Sequence, residues 1–420
     1  MKRQFGHRAR LVLTPAQVLL MDDQAHAARA MWNCLHDWWT MLSRERRSLA
    51  AADAAIRQAR REIDWLAVLP AQAAQSVLKT YVQAWKNCWE GRAGEPGFKA
   101  RFHTVMSVDI PQGRDLQIKR VHRRWGMANI PKVGRVRFHW TKDLPVGKHA
   151  HTDNRITGAR LVKDALGWHI AFRVTTLDPT PQPHQGPEVG IDVGVTVPLA
   201  LSDGTTHDHG RWLTKTEQAT LLRLERRAAR RKTCRNRGEQ TSQRLRRTYN
   251  RIQGLRARAK RRHLDWQHKT TTDIAKKYGT VVVEALKITN MTRSAKGTVH
   301  SPGKNVAQKS GLNRSIHAEA WGRTVELLAY KTAREGGTLV KVPATGTSQR
   351  CSACGHTTPG SRESQAVFAC KNPDCGWTGN ADHNAGRNIL DLYRMGLALI
   401  PAAGRAVVRR ACRVKPAIVR

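Results

Sequence analysis

The sequence is short of acid. Across 420 residues it carries 32 Asp and Glu against 73 Lys and Arg, a formal net charge of +41, with basic residues running through most of the chain. A folded core at such a charge repels itself, so a merely solvated basic surface is the less favoured reading and a polyanionic partner is expected. Also missing is any stretch near the ~20 continuous apolar residues that span a bilayer, which sets a membrane-spanning protein aside. The opening MKRQFGHRARLVLTPAQ is basic but interrupted by Pro15 and Gln17 before a secretory core develops, so a cytosolic protein is expected. There are few cysteines for a disulfide scaffold: eight in all, four of them bunched between Cys351 and Cys375. In a reducing compartment such a bunch reads as metal ligands, and Cys34, Cys88, Cys234 and Cys412 read as packing or bystanders.

What is present supports real cores, since 40% of residues are hydrophobic and the length allows roughly two to four compact units. Residues 15–48 and 71–92 carry apolar positions at helical spacing, among them Met31, Leu35 and Trp39, then Leu78, Tyr81 and Trp85. A small helical bundle is expected. Its tryptophans, Trp32, Trp38, Trp39, Trp85 and Trp89, are read mostly as core in preference to base-stacking platforms. After the Gly and Pro punctuation of GRAGEPGFKARF (residues 91–102), Val136, Phe138 and Trp140 alternate with Arg135, Arg137 and His139, and Trp168, Ile170, Phe172 and Val174 alternate with polar neighbours. This predicts a half-buried β unit with one basic face.

The proline-rich LDPTPQPHQGP, residues 177–187, is the clearest linker. Beyond it the order reads strand 189–193, strand 196–201, a turn at Ser202-Asp203-Gly204, a third strand, basic helices from 213 to 277, strand 280–284, helix 313–335, strand 337–342, the cysteine cluster and a last helix from Asp382. Antiparallel strands first and βα alternation later suggest an RNase H-like α/β layer. The arginine-dense stretch 213–263 is read as facing phosphates more than as a solvated hairpin. Segments 293–311 and the tail after Ala402 have the composition of linkers.

Two constellations carry chemistry. Cys351-Ser-Ala-Cys354, fifteen intervening residues and Cys370-Lys-Asn-Pro-Asp-Cys375 have the spacing of a zinc ribbon. Four thiolates leave no open coordination position, so this Zn²⁺ is expected to be structural, and the nearby His356 is left out of the ligand set. The second constellation is acidic: Asp192 within the apolar VGIDVGV, Glu284 after Val281-Val282-Val283, and Asp382 opening the last helix. Each has a plain reading, as an Arg partner, an exposed strand end and a helix cap respectively. Together, three acids from two strands and a helix can converge on two divalent cations, for which oxygen ligands favour Mg²⁺ or Mn²⁺.

The motifs GIDVGVTVPLALSDG, VVVEAL, TSQRCSACG with its later cysteine pair, and NADHNAGRNIL stand in this order over residues 188–390. In that order they resemble the TnpB family, transposon-encoded RNA-guided DNA endonucleases related to the compact type V CRISPR effectors. The resemblance implies an α+β multidomain chain. Its parts are a β-barrel wedge domain at 1–14 and 93–176, a helical recognition domain at 15–92, a linker at 177–187, an RNase H-like (RuvC) nuclease domain at 188–345 and 380–402, a zinc-ribbon target-nucleic-acid-binding insertion at 346–379 and a basic tail at 403–420. It further implies Asp192, Glu284 and Asp382 as the catalytic, cation-binding acids and Cys351, Cys354, Cys370 and Cys375 as zinc ligands. Guide RNA and target DNA are the expected partners, the oligomer being a monomer or a dimer on one RNA.

Three rivals follow from the same residues. One is an RNA-guided DNA-binding repressor without cleavage, from which a full set of three acids argues away. Another is a DNA transposase or recombinase, since two-metal sites also transfer strands. The third is a zinc-ribbon chaperone in which the acids are coincidental.

Overall fold

The computed structural model of the chain describes residues 2–101, 105–147, 150–177, 180–233, 240–298 and 300–399; the expected basic tail, 403–420, lies outside them. The chain divides into two compact units between residues 179 and 180. Among the described residues no helix is long and apolar enough to cross a membrane.

The first unit opens with strand β1 (Lys2–Val12) and four helices, α1 (Pro15–Met41), α2 (Leu49–Glu62), α3 (Asp64–Ala67) and α4 (Ala71–Trp89). Strands β2 (Ser107–Ile110), β3 (Lys119–His122), β4 (Trp125–Ile130), β5 (Gly134–His139), β6 (Arg155–Asp164) and β7 (Gly167–Leu177) follow. They join β1 in one sheet of order β2-β6-β7-β1-β5-β4-β3. The length of β1 explains the order: residues 2 to 10 pair antiparallel with β7, and Leu11 and Val12 continue onto β5, so one strand ties two hairpin systems together.

Alternation along β7 buries Trp168, Ile170, Phe172 and Val174, and β5 buries Val136 and Phe138 while Arg135 and Arg137 stay exposed. Helix α1 starts where Thr14 and Gln17 form a reciprocal capping box with Pro15 in the first turn. Its Trp32 and Trp39 pack edge-on against Tyr81 of α4, at 5.0 and 5.8 Å between ring centres. Trp85 is buried as well, whereas Trp38 is half-buried and Trp89 exposed.

The second unit contains β8 (Glu188–Asp192), β9 (Leu199–Leu201), β10 (Thr206–His207), α5 (Lys215–Thr233), α6 (Gln243–Lys277), β11 (Thr280–Glu284), α7 (Ile288–Met291), α8 (Val306–Glu319), α9 (Trp321–Arg334) and β12 (Thr338–Val342). A small hairpin, β13 (Val367–Ala369) with β14 (Thr378–Asn380), precedes α10 (Ala381–Arg394). The sheet order is β10-β9-β8-β11-β12, with β8, β11 and β12 parallel and β9 and β10 antiparallel.

The inner parallel strands β8 and β11 carry apolar residues on both faces, as burial between two helical layers requires. Val189, Ile191, Val281 and Val283 pack with Ile274 of α6 and Leu328 of α9, and Val282 and Val342 pack with Ile389 and Leu390 of α10. Helix α10 lies so close to β8 that a Cβ on Gly190 would stand 2.1 Å from the carbonyl oxygen of Gly386. The expected single helix over 313–335 is two helices: α8 begins earlier, at Val306, and Ala320 takes a left-handed backbone (φ 49°) between it and α9. The Trp321 indole N–H, donating to the Gly194 carbonyl at 3.2 Å, anchors the start of α9.

Candidate functional site

Side chains alternate along a strand, so in β8 and β11 the set packed on α6 and α9 fixes where the other set points. Asp192 shares the parity of Gly190, and Glu284 that of Val282, the two positions that meet α10. Parallel pairing sets Val283 beside Ile191, and the next residues on the two strands are Glu284 and Asp192. Both acids therefore end neighbouring strands on the α10 face. Asp382 comes from the first turn of α10, where it is buried, with 7% of its surface exposed. The cap of that helix is Asn380, whose side-chain oxygen accepts from the backbone N–H of Asp382 and His383 at 3.0 and 3.1 Å. Asp382 is thus not spent on capping.

The electrostatics follow from crowding. Desolvation, then the charges of Glu284 and Asp382, push the Asp192 carboxyl up to about 7, against the smaller opposing pull of Arg362 and the Val193 backbone N–H. Desolvation also raises Glu284 above the usual carboxylate range, with the Thr347 hydroxyl acting the other way. Among the described residues no cationic side chain pairs with Asp192 or Glu284. The arginine contact falls on Asp382, whose Oδ1 accepts from Arg362 Nη2 at 2.6 Å. Asp192 feels the charges of Glu284 and Asp382, but the three carboxylates do not draw within 4.8 Å as a set, which among the described residues only the cysteine cluster does.

That cluster is Cys351, Cys354, Cys370 and Cys375. The Cys351–Cys375 and Cys354–Cys370 sulfurs are 3.9 and 3.7 Å apart, near the ~3.8 Å edge of a tetrahedron with Zn–S bonds of about 2.3 Å. Backbone N–H groups two residues on, at His356, Asn372 and Trp377, donate to Cys354, Cys370 and Cys375. The His356 contact leads in holding Cys354 down to about 6, while, against the pull of the Asn372 and Trp377 N–H groups, desolvation and the neighbouring sulfurs push Cys370 up to about 12 and Cys375 upward. Around the sulfurs the apolar support is slight, with Phe368, Ala381 and Trp377 beside them. The donor set and its spacing fit zinc.

The structure adds residues to which the sequence assigned no role. Asn384 and Asn388, one turn apart on α10, are fully buried and hold the segment entering the ribbon. Asn384 donates to the Arg350 carbonyl (2.8 Å) and accepts from the Ser352 N–H (2.8 Å), and Asn388 donates to the carbonyls of Thr347 (2.9 Å) and Arg350 (2.6 Å). The Thr347 hydroxyl donates to Glu284 Oε1. Only the i, i+4 spacing of the two asparagines inside NADHNAGRNIL hinted at a shared face.

The basic helices α5 and α6 form a hairpin around Leu224, Ala228, Leu245 and Ile252. Part of its arginine content is internal: Arg258 and Arg262 both pair with Glu217 at 2.6 Å and hold its carboxyl down to about 2, and Arg256 pairs with Glu225. Arg223, Arg226, Arg230, Arg246, Arg247 and Arg251 stand exposed.

Several known proteins resemble this chain. Residues 171–295 match the IS605 OrfB family, described as a probable transposase, and residues 321–389 match the Cas12f1-like TNB domain. A protein of Streptomyces pristinaespiralis, provisionally named an RNA-guided DNA endonuclease, is 26% identical over 335 residues, covering 78% of this chain and 73% of its own. The Cas12f1 chain of a cryo-EM complex with sgRNA and target DNA superposes with a TM-score of 0.52 at 15% identity, over 90% of this chain and 83% of that one, a likeness of fold. InsQ of Escherichia coli (strain K12), also provisionally named an RNA-guided DNA endonuclease, is 35% identical over 347 residues, 83% of this chain and 78% of its own. At that identity and coverage the chain belongs to the TnpB family, the IS605 OrfB proteins.

Proposed function

We propose that this chain is an RNA-guided DNA endonuclease, associated with a transposon or a compact CRISPR system, that hydrolyses phosphodiester bonds with divalent cations held by Asp192, Glu284 and Asp382. The observation that carries this reading is the crowding of three carboxylates from β8, β11 and α10 on one face of the sheet, with Asp192 pushed up to about 7 and no pairing cation on Asp192 or Glu284 among the described residues. Unmatched negative charge in a recessed place is costly; a divalent cation relieves it. The order β10-β9-β8-β11-β12, three strands parallel, supports an RNase H-like RuvC fold for 188–345 and 380–402. The names of the relatives support the RNA guide and the DNA target.

In this reading 1–14 and 93–176 form the wedge, 15–92 the recognition domain, 177–187 the linker and 346–379 the ribbon that receives target strand, with Zn²⁺ held by Cys351, Cys354, Cys370 and Cys375. Base pairing supplies the sequence of the target, and the protein reads only a short flanking motif. Mg²⁺ or Mn²⁺ at the acids supplies water activation for in-line attack and neutralises charge on the departing 3′ oxygen, leaving 5′ phosphate. Asp192 must shed its proton to take part. Glu284 is steadied by Thr347, and Asp382 is presented by the Asn380-capped helix.

The test uses the full chain with its co-purified RNA. Replacing Asp192, Glu284 or Asp382 by Ala is expected to cut cleavage by more than the ~10–100-fold typical of outer-shell changes to metal sites, while RNA binding stays intact. Undiminished cleavage in all three variants would sink the assignment of the acids.

A further inference from the structure

We propose that Thr347 is a positioning residue for Glu284, and that through it divalent-cation affinity at the acids depends on zinc occupancy of the ribbon. The inference rests on the acid-site reading above and concerns how that site is held. Glu284 ends a strand, where a carboxylate is otherwise free to rotate. One of its oxygens, Oε1, is bound by the Thr347 hydroxyl, which fixes the plane of the group and leaves Oε2 available. Thr347 itself is 3% exposed. Its carbonyl accepts from the buried Asn388 amide at 2.9 Å, and the same amide holds the Arg350 carbonyl at 2.6 Å.

The next residue, Cys351, is one of the four thiols, and its backbone N–H donates to the His356 carbonyl at 2.8 Å within the cysteine loop. Three residues of chain therefore separate a zinc ligand from the donor on a candidate cation ligand, and both ends of that segment are pinned to α10. A second ribbon residue reaches the same site: Arg362, bridged through its backbone to Phe368 beside the thiols, donates to Asp382. The ribbon's own apolar core is small, so its order rests on the metal. Losing zinc loosens residues 347–352, the hydroxyl leaves Glu284, and the preorganisation of the carboxylate is lost. Linkage makes the effect reciprocal.

The experiment measures Mn²⁺ affinity by electron paramagnetic resonance of free Mn²⁺, and zinc by elemental analysis, in the full-length chain. Thr347→Val keeps the shape and removes the donor. It is expected to retain zinc and bind Mn²⁺ about tenfold more weakly, the scale of outer-shell changes to metal sites, with Thr347→Ser restoring affinity. Stripping zinc is expected to weaken Mn²⁺ binding in wild type and to cost much less in Thr347→Val. Equal Mn²⁺ affinity of wild type and Thr347→Val, or an equal zinc effect in both, overturns the inference. Mn²⁺ binding unchanged in Asp192→Ala overturns instead the acid-site reading on which it rests.

Discussion

Burial and the neighbouring charges push hard on Asp192, and its proton is a reporter of that. The folded chain holds the carboxyl at about 7 against an ordinary value of 3.8. Between those values the folded state keeps a proton that the unfolded state has released. Stability linked to Asp192 is therefore full below about pH 4 and is lost as pH rises through 7, by up to about 4 kcal/mol. In cation-free protein Asp192→Asn should accordingly raise the melting temperature at pH 8, the gain shrinking as pH is lowered to 5, as differential scanning calorimetry can follow. A gain independent of pH, or a loss, would mean that the carboxylate is not strained there.

The same residue shows what the sequence made legible. A charge inside VGIDVGV, and another after Val281-Val282-Val283, stand out because apolar strands cannot hide them. Thr347, Arg362, Asn384 and Asn388 did not stand out. Their partners lie 20 to 63 positions away along the chain and for the asparagines are backbone groups, which any residue type offers.

At the scale of elements, the ribbon was legible from four cysteines because metal geometry dictates their spacing, and β7 from its alternation, because one face is buried. Helix α2 and the break at Ala320 were not. The break falls on Ala320, not on the nearby Gly322, and rests on a tertiary anchor, Trp321 on Gly194. For the ribbon, Cys351→Ser is expected to lose zinc by elemental analysis and to give fast hydrogen exchange across 347–380, while the sheet amides of β8 and β11 keep their protection. The reason is that Phe368, Ala381 and Trp377 give too little apolar burial to order it without metal. Full zinc content in that variant would refute the ligand assignment.

For the whole molecule the governing quantity is charge. A net +41 is self-repulsive until phosphates neutralise it, and the exposed arginines of the α5–α6 hairpin add to that surface in the second unit. RNA affinity should therefore fall linearly on a log–log plot against salt, losing about 10³-fold or more between 50 and 200 mM if some six or more phosphates are contacted. Reversing Arg246, Arg247 and Arg251 to Glu should flatten that slope, measured by filter binding. An unchanged slope would place the hairpin away from the nucleic acid.

The most direct test isolates the full-length chain with its bound RNA, sequences that RNA, and supplies Mg²⁺ with DNA that either matches or does not match the guide. Cleavage of the matched DNA alone, with 5′ phosphate ends, is expected, and none by the Asp192→Ala particle. Guide-dependent binding of matched DNA without any cleavage, or cleavage that survives Asp192→Ala, would contradict it.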